Sequence, residues 1–124
     1  MTLLWVMIAG GAGSGARYLI GRWAAVYMGA DFPYGTLIVN LTGCFALGVV
    51  AHLASSMSWN PDLRAAIAAG FLGGFTTYSS FNHDTVALFA GGATGAALLN
   101  IGITLGGGML AGWLGLVAAR QFVT

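Results

Sequence analysis

The sequence predicts an all-α integral membrane protein with four transmembrane helices and no soluble domain. Three observations lead there: a dominant apolar fraction, a near absence of charge, and punctuation that cuts the chain into four long apolar segments. Of 124 residues, 58% are hydrophobic and 6% charged, where an ordinary soluble domain carries about 25% charged residues. A water-soluble fold of this composition would lack a polar surface. A spanning helix needs roughly 20 apolar residues, so residues 1–124 read as one four-helix transmembrane domain with short connections.

Segment one runs from Leu3 to Met28 and ends at Gly29-Ala30-Asp31-Phe32-Pro33, a cluster that stops helices and starts turns. No basic residue precedes it, and its apolar run continues beyond Arg17, so it is expected to be retained rather than cleaved as a leader. Segment two covers Tyr34 to Ala54. The most polar stretch follows, Ser55 to Asp62, with Asn60 placed to cap a helix that has Pro61 at its first position. Segment three covers Leu63 to Ala90, Gly91-Gly92 forms a tight break, and segment four covers Ala93 to Gln121. Membrane β-strands are about 9–11 residues long and alternate in polarity; these runs are longer and continuously apolar. The 21 glycines include the pairs Gly11/Gly15, Gly70/Gly74, Gly102/Gly106 and Gly108/Gly112, whose spacing lets helix backbones approach closely.

Several function classes are excluded. With four arginines, no lysine and no basic face, the chain offers nothing to nucleic acid. Paired carboxylates, metal-ligand clusters and nucleophile triads are missing, which excludes an enzyme. Cys44 is the single cysteine, so no intramolecular disulfide exists.

With four spans, Arg64 and Arg120 fall on the side of the termini and Arg17 and Arg22 toward the other. Lys/Arg bias sets membrane orientation, and here two stand against two. Insertion in both orientations is the expectation; orientation set by folding order or by the depth of Arg17 is the alternative.

Ionisable groups at bilayer depth cost several kcal/mol on insertion scales and mark functional candidates. Arg22, Asp62, Arg64 and Arg120 lie near segment ends, where they can reach the interface. Arg17 lies well inside segment one and needs a partner or a wet vestibule, with Asp84 its opposite-charge candidate. His52 reads as interfacial, and His83 beside Asp84 as a protonatable group near the polar stretch. That stretch, Gly70-Phe71-Leu72-Gly73-Gly74-Phe75-Thr76-Thr77-Tyr78-Ser79-Ser80-Phe81-Asn82, is the strongest local anomaly. Two readings stand: a helix broken at an ion site, its glycine pair weakening the ladder, or a continuous helix whose hydroxyls bond back to their own backbone. Tyr78 and Phe81, three residues apart, share a helix face, and their ring edges can solvate an anion or simply pack. Asn40, Asn100 and Thr104 add polar groups in segments two and four, where the usual role of such residues is an interhelical hydrogen bond.

These residues, taken in order, resemble the CrcB/Fluc family of fluoride ion channels over nearly the whole chain. Gly35 to Leu41 is similar to the family's second-segment signature, Gly70 to Phe81 to its third, and Arg17 followed by an aromatic to its first-segment arginine. The resemblance implies a fluoride-selective channel of the bacterial inner membrane that passively exports fluoride from the cytoplasm and relieves its toxicity. It implies an antiparallel, dual-topology homodimer whose third helix is broken mid-membrane. A structural sodium ion would be held at the dimer centre by the backbone carbonyls of Gly73 and Thr76. The fluoride pathway would comprise Asn40, Tyr78, Ser80, Phe81 and Thr104, with Arg17 and Asp84 in structural or vestibule roles. The chain departs from the family at Tyr78, where phenylalanine is usual, at Gly108 and Gly112, where hydroxyls are frequent, and at Asp84, where glutamate is usual. Two other classes compete: a proton-coupled drug exchanger, which needs an embedded carboxylate that only Asp84 offers, and a non-transporting assembly subunit.

Overall fold

The computed structural model describes residues 1–123, which form helices joined by short turns, with no strand among the described residues. Helix α1 spans Thr2–Tyr27 and α2 spans Tyr34–Ser56. Helix α3 covers residues 61–75, with an α-helical start Pro61–Ala65, a π-helical stretch Ala66–Leu72 and a last turn Gly73–Phe75. Helix α4 spans Tyr78–Ala90, and α5 spans Thr94–Arg120 with a π-helical stretch at Ile103–Gly107.

Local chemistry sets the ends. Gly29 adopts φ +93° after α1, a conformation costly for any residue with a Cβ. Asn60 Oδ1 accepts the Asp62 N–H at 2.8 Å ahead of Pro61 at the helix start. Helix α4 closes in a Schellman turn: Ala93 N–H donates to the Leu88 carbonyl at 2.8 Å, Gly92 N–H donates to Phe89, and Gly92 sits at φ +81°.

Helices α1, α2 and α5 are long and apolar enough to cross a membrane, at 26, 23 and 27 residues. The expected third span instead comprises α3 and α4, each short of the roughly 20 residues needed to span alone. The chain is thus a multi-pass helical membrane protein.

The interior is small and the exterior bulky. Buried residues include Ala24, Val39, Ala54, Ala97 and Ala119, whereas Trp5, Trp23, Leu19, Met109 and Trp113 are exposed. That inversion suits lipid, where close backbone packing replaces the hydrophobic drive between helices. Helix α1 packs on α3, α2 packs on α5, and α1 also touches α2. At each seam glycine permits the approach: a Cβ on Gly13 would fall well inside contact distance of the Phe71 carbonyl, and one on Gly48 would do so against the Gly112 carbonyl. Of the four glycine pairs, Gly70/Gly74 faces Val6 and Gly10 of α1, and Gly108/Gly112 faces Cys44 of α2. Gly11/Gly15 and Gly102/Gly106 face open space, with nothing within 4 Å among the described residues.

The ends of the chain are tied to the bundle. The Thr2 hydroxyl donates to the Asp62 carboxylate, and the His52 imidazole Nε2 lies 2.7 Å from the Val123 carbonyl.

Gly13→Ala and Gly48→Ala are each expected to destabilise the protein by about 1–3 kcal/mol through overpacking against a backbone carbonyl. Gly95→Ala, at an open position, should match or slightly exceed wild-type stability. Thermal unfolding in detergent compares the three.

Candidate functional site

The helical ladder stops at Thr76 and Thr77. Their dihedrals are extended, φ −89° and ψ 158° for Thr76 and φ −153° and ψ 125° for Thr77. The glycine pair singled out from the sequence is not itself the interruption, because Gly73 and Gly74 remain helical. The missing side chain of Gly74 serves packing instead: a Cβ there would collide with the Gly10 carbonyl of α1.

Side chains take over several of the backbone groups that the interruption releases. In an unbroken helix, the Thr77 N–H would donate to the carbonyl four residues back, that of Gly73. Here it donates to Asn40 Oδ1 at 2.8 Å, and Asn40 Nδ2 donates to the Thr77 carbonyl at 3.0 Å. The Ser80 N–H, which would serve Thr76, donates to Thr77 Oγ1 at 3.2 Å, making Thr77 the N-cap of α4. The Gly74 carbonyl accepts from Arg17 Nε at 3.0 Å. A guanidinium at the carbonyl end of α3 also meets the negative pole of that helix.

Arg17 therefore bonds a carbonyl, while the Asp84 carboxylate accepts from the Thr36 hydroxyl at 2.9 Å. The pairing of Arg17 with Asp84 suggested by opposite charge is replaced by these two contacts. Ser14, Arg17, Arg22, Thr36, Thr77 and Ser80 line an open cleft of about 470 Å³. A neighbouring cleft of about 340 Å³ shares Thr36 and carries Asp31 and Asp84.

Tyr78 and Phe81 lie on the first turn of α4 with ring centroids 5.7 Å apart and planes at 64°, an edge-to-face pair. Tyr78 is 75% exposed and Phe81 7%, so one ring is presented outward and the other anchors it. Behind Phe81 runs a relay that realises the helix-to-helix bonding expected of Asn100 and adds Thr85, a residue the sequence reading did not name. The Thr85 hydroxyl donates to the Phe81 carbonyl at 2.7 Å, Asn100 Nδ2 donates to Thr85 Oγ1 at 3.0 Å, and Thr104 Oγ1 donates to Asn100 Oδ1 at 3.4 Å. Carbonyls only accept, so the relay has one polarity and fixes the Asn100 amide. Thr85 stands four residues after Phe81, which was the available sequence signal for its back-bond, but its partner Asn100 is distant in the chain.

The interruption, the aromatic pair and Asn40 occupy the stretches whose residues carry the family signatures, and comparison with known proteins agrees. A family model described as CrcB-like protein, Camphor Resistance (CrcB), matches residues 4–116. The chain belongs to the CrcB family. A relative from Sorangium cellulosum named fluoride-specific ion channel FluC is 45% identical over 120 residues, covering 96% of this chain and 94% of its own. One of the same name from Acidobacterium capsulatum is 41% identical over 124 residues, 99% of each chain. Another, from Anaeromyxobacter dehalogenans, reaches 52% over 96 residues, 77% of this chain and 76% of its own. The CrcB family is thus one of ion channels, not of enzymes.

Thr85→Val is expected to cost about 1–3 kcal/mol by leaving the buried Asn100 amide without its acceptor. Adding Asn100→Leu should recover part of that loss, since both partners are then apolar. A double-mutant cycle on thermal unfolding measures the coupling.

Proposed function

We propose that this protein is a fluoride channel that lets fluoride leave the cytoplasm passively. The observation that carries the reading is the interruption at Thr76–Thr77 beside an edge-to-face pair, in a chain whose relatives bear the name of fluoride-specific channels. Irregular backbone at membrane depth is tolerated only where it is buried in protein or lines a water-filled cavity. On this reading α3 and α4 form one interrupted span, giving four in all. The fluoride path passes Asn40, Tyr78, Ser80, Phe81 and Thr104. Ring edges carry partial positive charge, and the Tyr78 and Ser80 hydroxyls and the Asn40 amide can donate, so a small anion exchanges its water for directed donors, while the Thr104 hydroxyl would have to turn from Asn100 Oδ1 to join them. Arg17 and Arg22 make the adjoining cleft attractive to anions, and Asp84, held by Thr36, marks the neighbouring cleft.

The unit of function on this reading is an antiparallel homodimer in the bacterial inner membrane. The even split of arginines supports insertion both ways up. The open glycine faces Gly11/Gly15 and Gly102/Gly106 and the exposed Tyr78 supply surface for a second copy. A structural sodium ion fits Gly73 and Thr76, because the N–H groups that would close their carbonyls within a helix are engaged by Asn40 and Thr77. Bound there, sodium would supply a positive charge that holds these carbonyls at the dimer centre.

Reconstituted liposomes are expected to release fluoride rapidly when a potassium ionophore relieves the charge. Proton-linked drug movement without fluoride release would instead indicate an exchanger, and neither flux would indicate an assembly subunit. Phe81→Ile should lower fluoride flux by about tenfold or more, the scale of losing one aromatic interaction of roughly 1.4 kcal/mol. The dimer should persist on size-exclusion chromatography, and undiminished flux would remove Phe81 from the path.

A further inference from the structure

The side chain that stabilises the interruption has a second consequence for the carbonyls around it. Asn40 is buried on α2, and both hydrogen bonds it exchanges with Thr77 go to backbone atoms, N–H at 2.8 Å and carbonyl at 3.0 Å. It thereby satisfies a residue whose dihedrals are those of a strand, within a segment that lipid would otherwise force into a helix. Remove that partner, and the groups on Thr77 have one nearby way to be satisfied. The backbone turns helical, and the Thr77 N–H returns to the Gly73 carbonyl.

We infer that Asn40 is a positioning residue for the cation site: by capturing the Thr77 N–H it keeps the Gly73 carbonyl out of the helical ladder. Cation binding then depends on a side chain that need not contact the ion. This rests on the sodium reading given above and extends it. The Asn40 amide has two N–H bonds, and one serves the Thr77 carbonyl. The other is available to the anion path, so a single residue links the two ion sites. Thr76 depends on a different device, the Thr77 hydroxyl that holds the Ser80 N–H, so the two carbonyls are released by separate side chains.

Because Asn40 also lies on the proposed fluoride path, flux cannot separate its two roles, and the test reads stability. The purified full-length protein in detergent is heated in sodium chloride and in N-methyl-D-glucamine chloride at equal ionic strength. Wild type should unfold at a higher temperature in sodium. Asn40→Leu should lose that sodium-dependent rise, whereas Asn40→Asp, which keeps an acceptor for the Thr77 N–H, should retain it. If the leucine variant does not fold, Asn40→Ala takes its place with the same expected loss. A full rise in Asn40→Leu or Asn40→Ala, or its loss in Asn40→Asp, overturns the role of Asn40 while leaving the sodium site standing. No rise in wild type overturns the sodium reading and this inference with it.

Discussion

Backbone groups released where a helix is interrupted need new partners, and the structure around Thr76 and Thr77 is organised by that need. An interrupted helix frees donors on one side and acceptors on the other. Here several of the released groups go to named side chains: Asn40 to both backbone groups of Thr77, Thr77 to Ser80, and Arg17 to Gly74. Side chains from α1 and α2 therefore converge on one short stretch. Displacing either helix would strip polar backbone groups of those partners, which costs more than the hydrogen bonds gain when made wherever water does not replace them. The interruption is consequently rigid in design, held from α1, from α2 and from its own N-cap.

Close packing makes that convergence geometrically available. Arg17 reaches the Gly74 carbonyl because Gly10, Gly13, Gly70 and Gly74 let α1 and α3 run almost backbone to backbone. Gly43 likewise leaves room for the Thr76 side chain. Small residues thus act at a distance from themselves: they set how far a longer neighbour must reach. Apolar bulk is displaced to the outside, where lipid receives it.

Local chemistry was legible in the sequence and distant chemistry was not. Gly29, Asn60-Pro61 and Gly91-Gly92 marked helix ends because capping and left-handed turns depend on a few adjacent residues. The stretch from Gly73 to Phe81 was visible as an anomaly, but its glycines pointed one step too early, since the use of Gly74 in packing against α1 leaves no local mark. Charge suggested that Arg17 would meet Asp84. The actual partners, a carbonyl and the Thr36 hydroxyl, carry no formal charge and so send no such signal. The π-helical stretches were equally silent, being a matter of backbone register, and Asn100 announced an interhelical bond but not Thr85 as its partner, which lies on a separate helix.

The pairing of helices also orders events during synthesis. Helix α2 finds its most extensive partner in α5, the last of these five helices to leave the ribosome, along a seam in which Gly48 and Gly115 face carbonyls of the opposite helix. While α3 and α4 are being made, α2 must wait in the bilayer with that groove unfilled. Asn40 and the extended pair at Thr76–Thr77 can meet in this interval, before the last helix docks. A truncated nascent chain would accordingly hold its polar centre while still lacking one of its two main glycine seams.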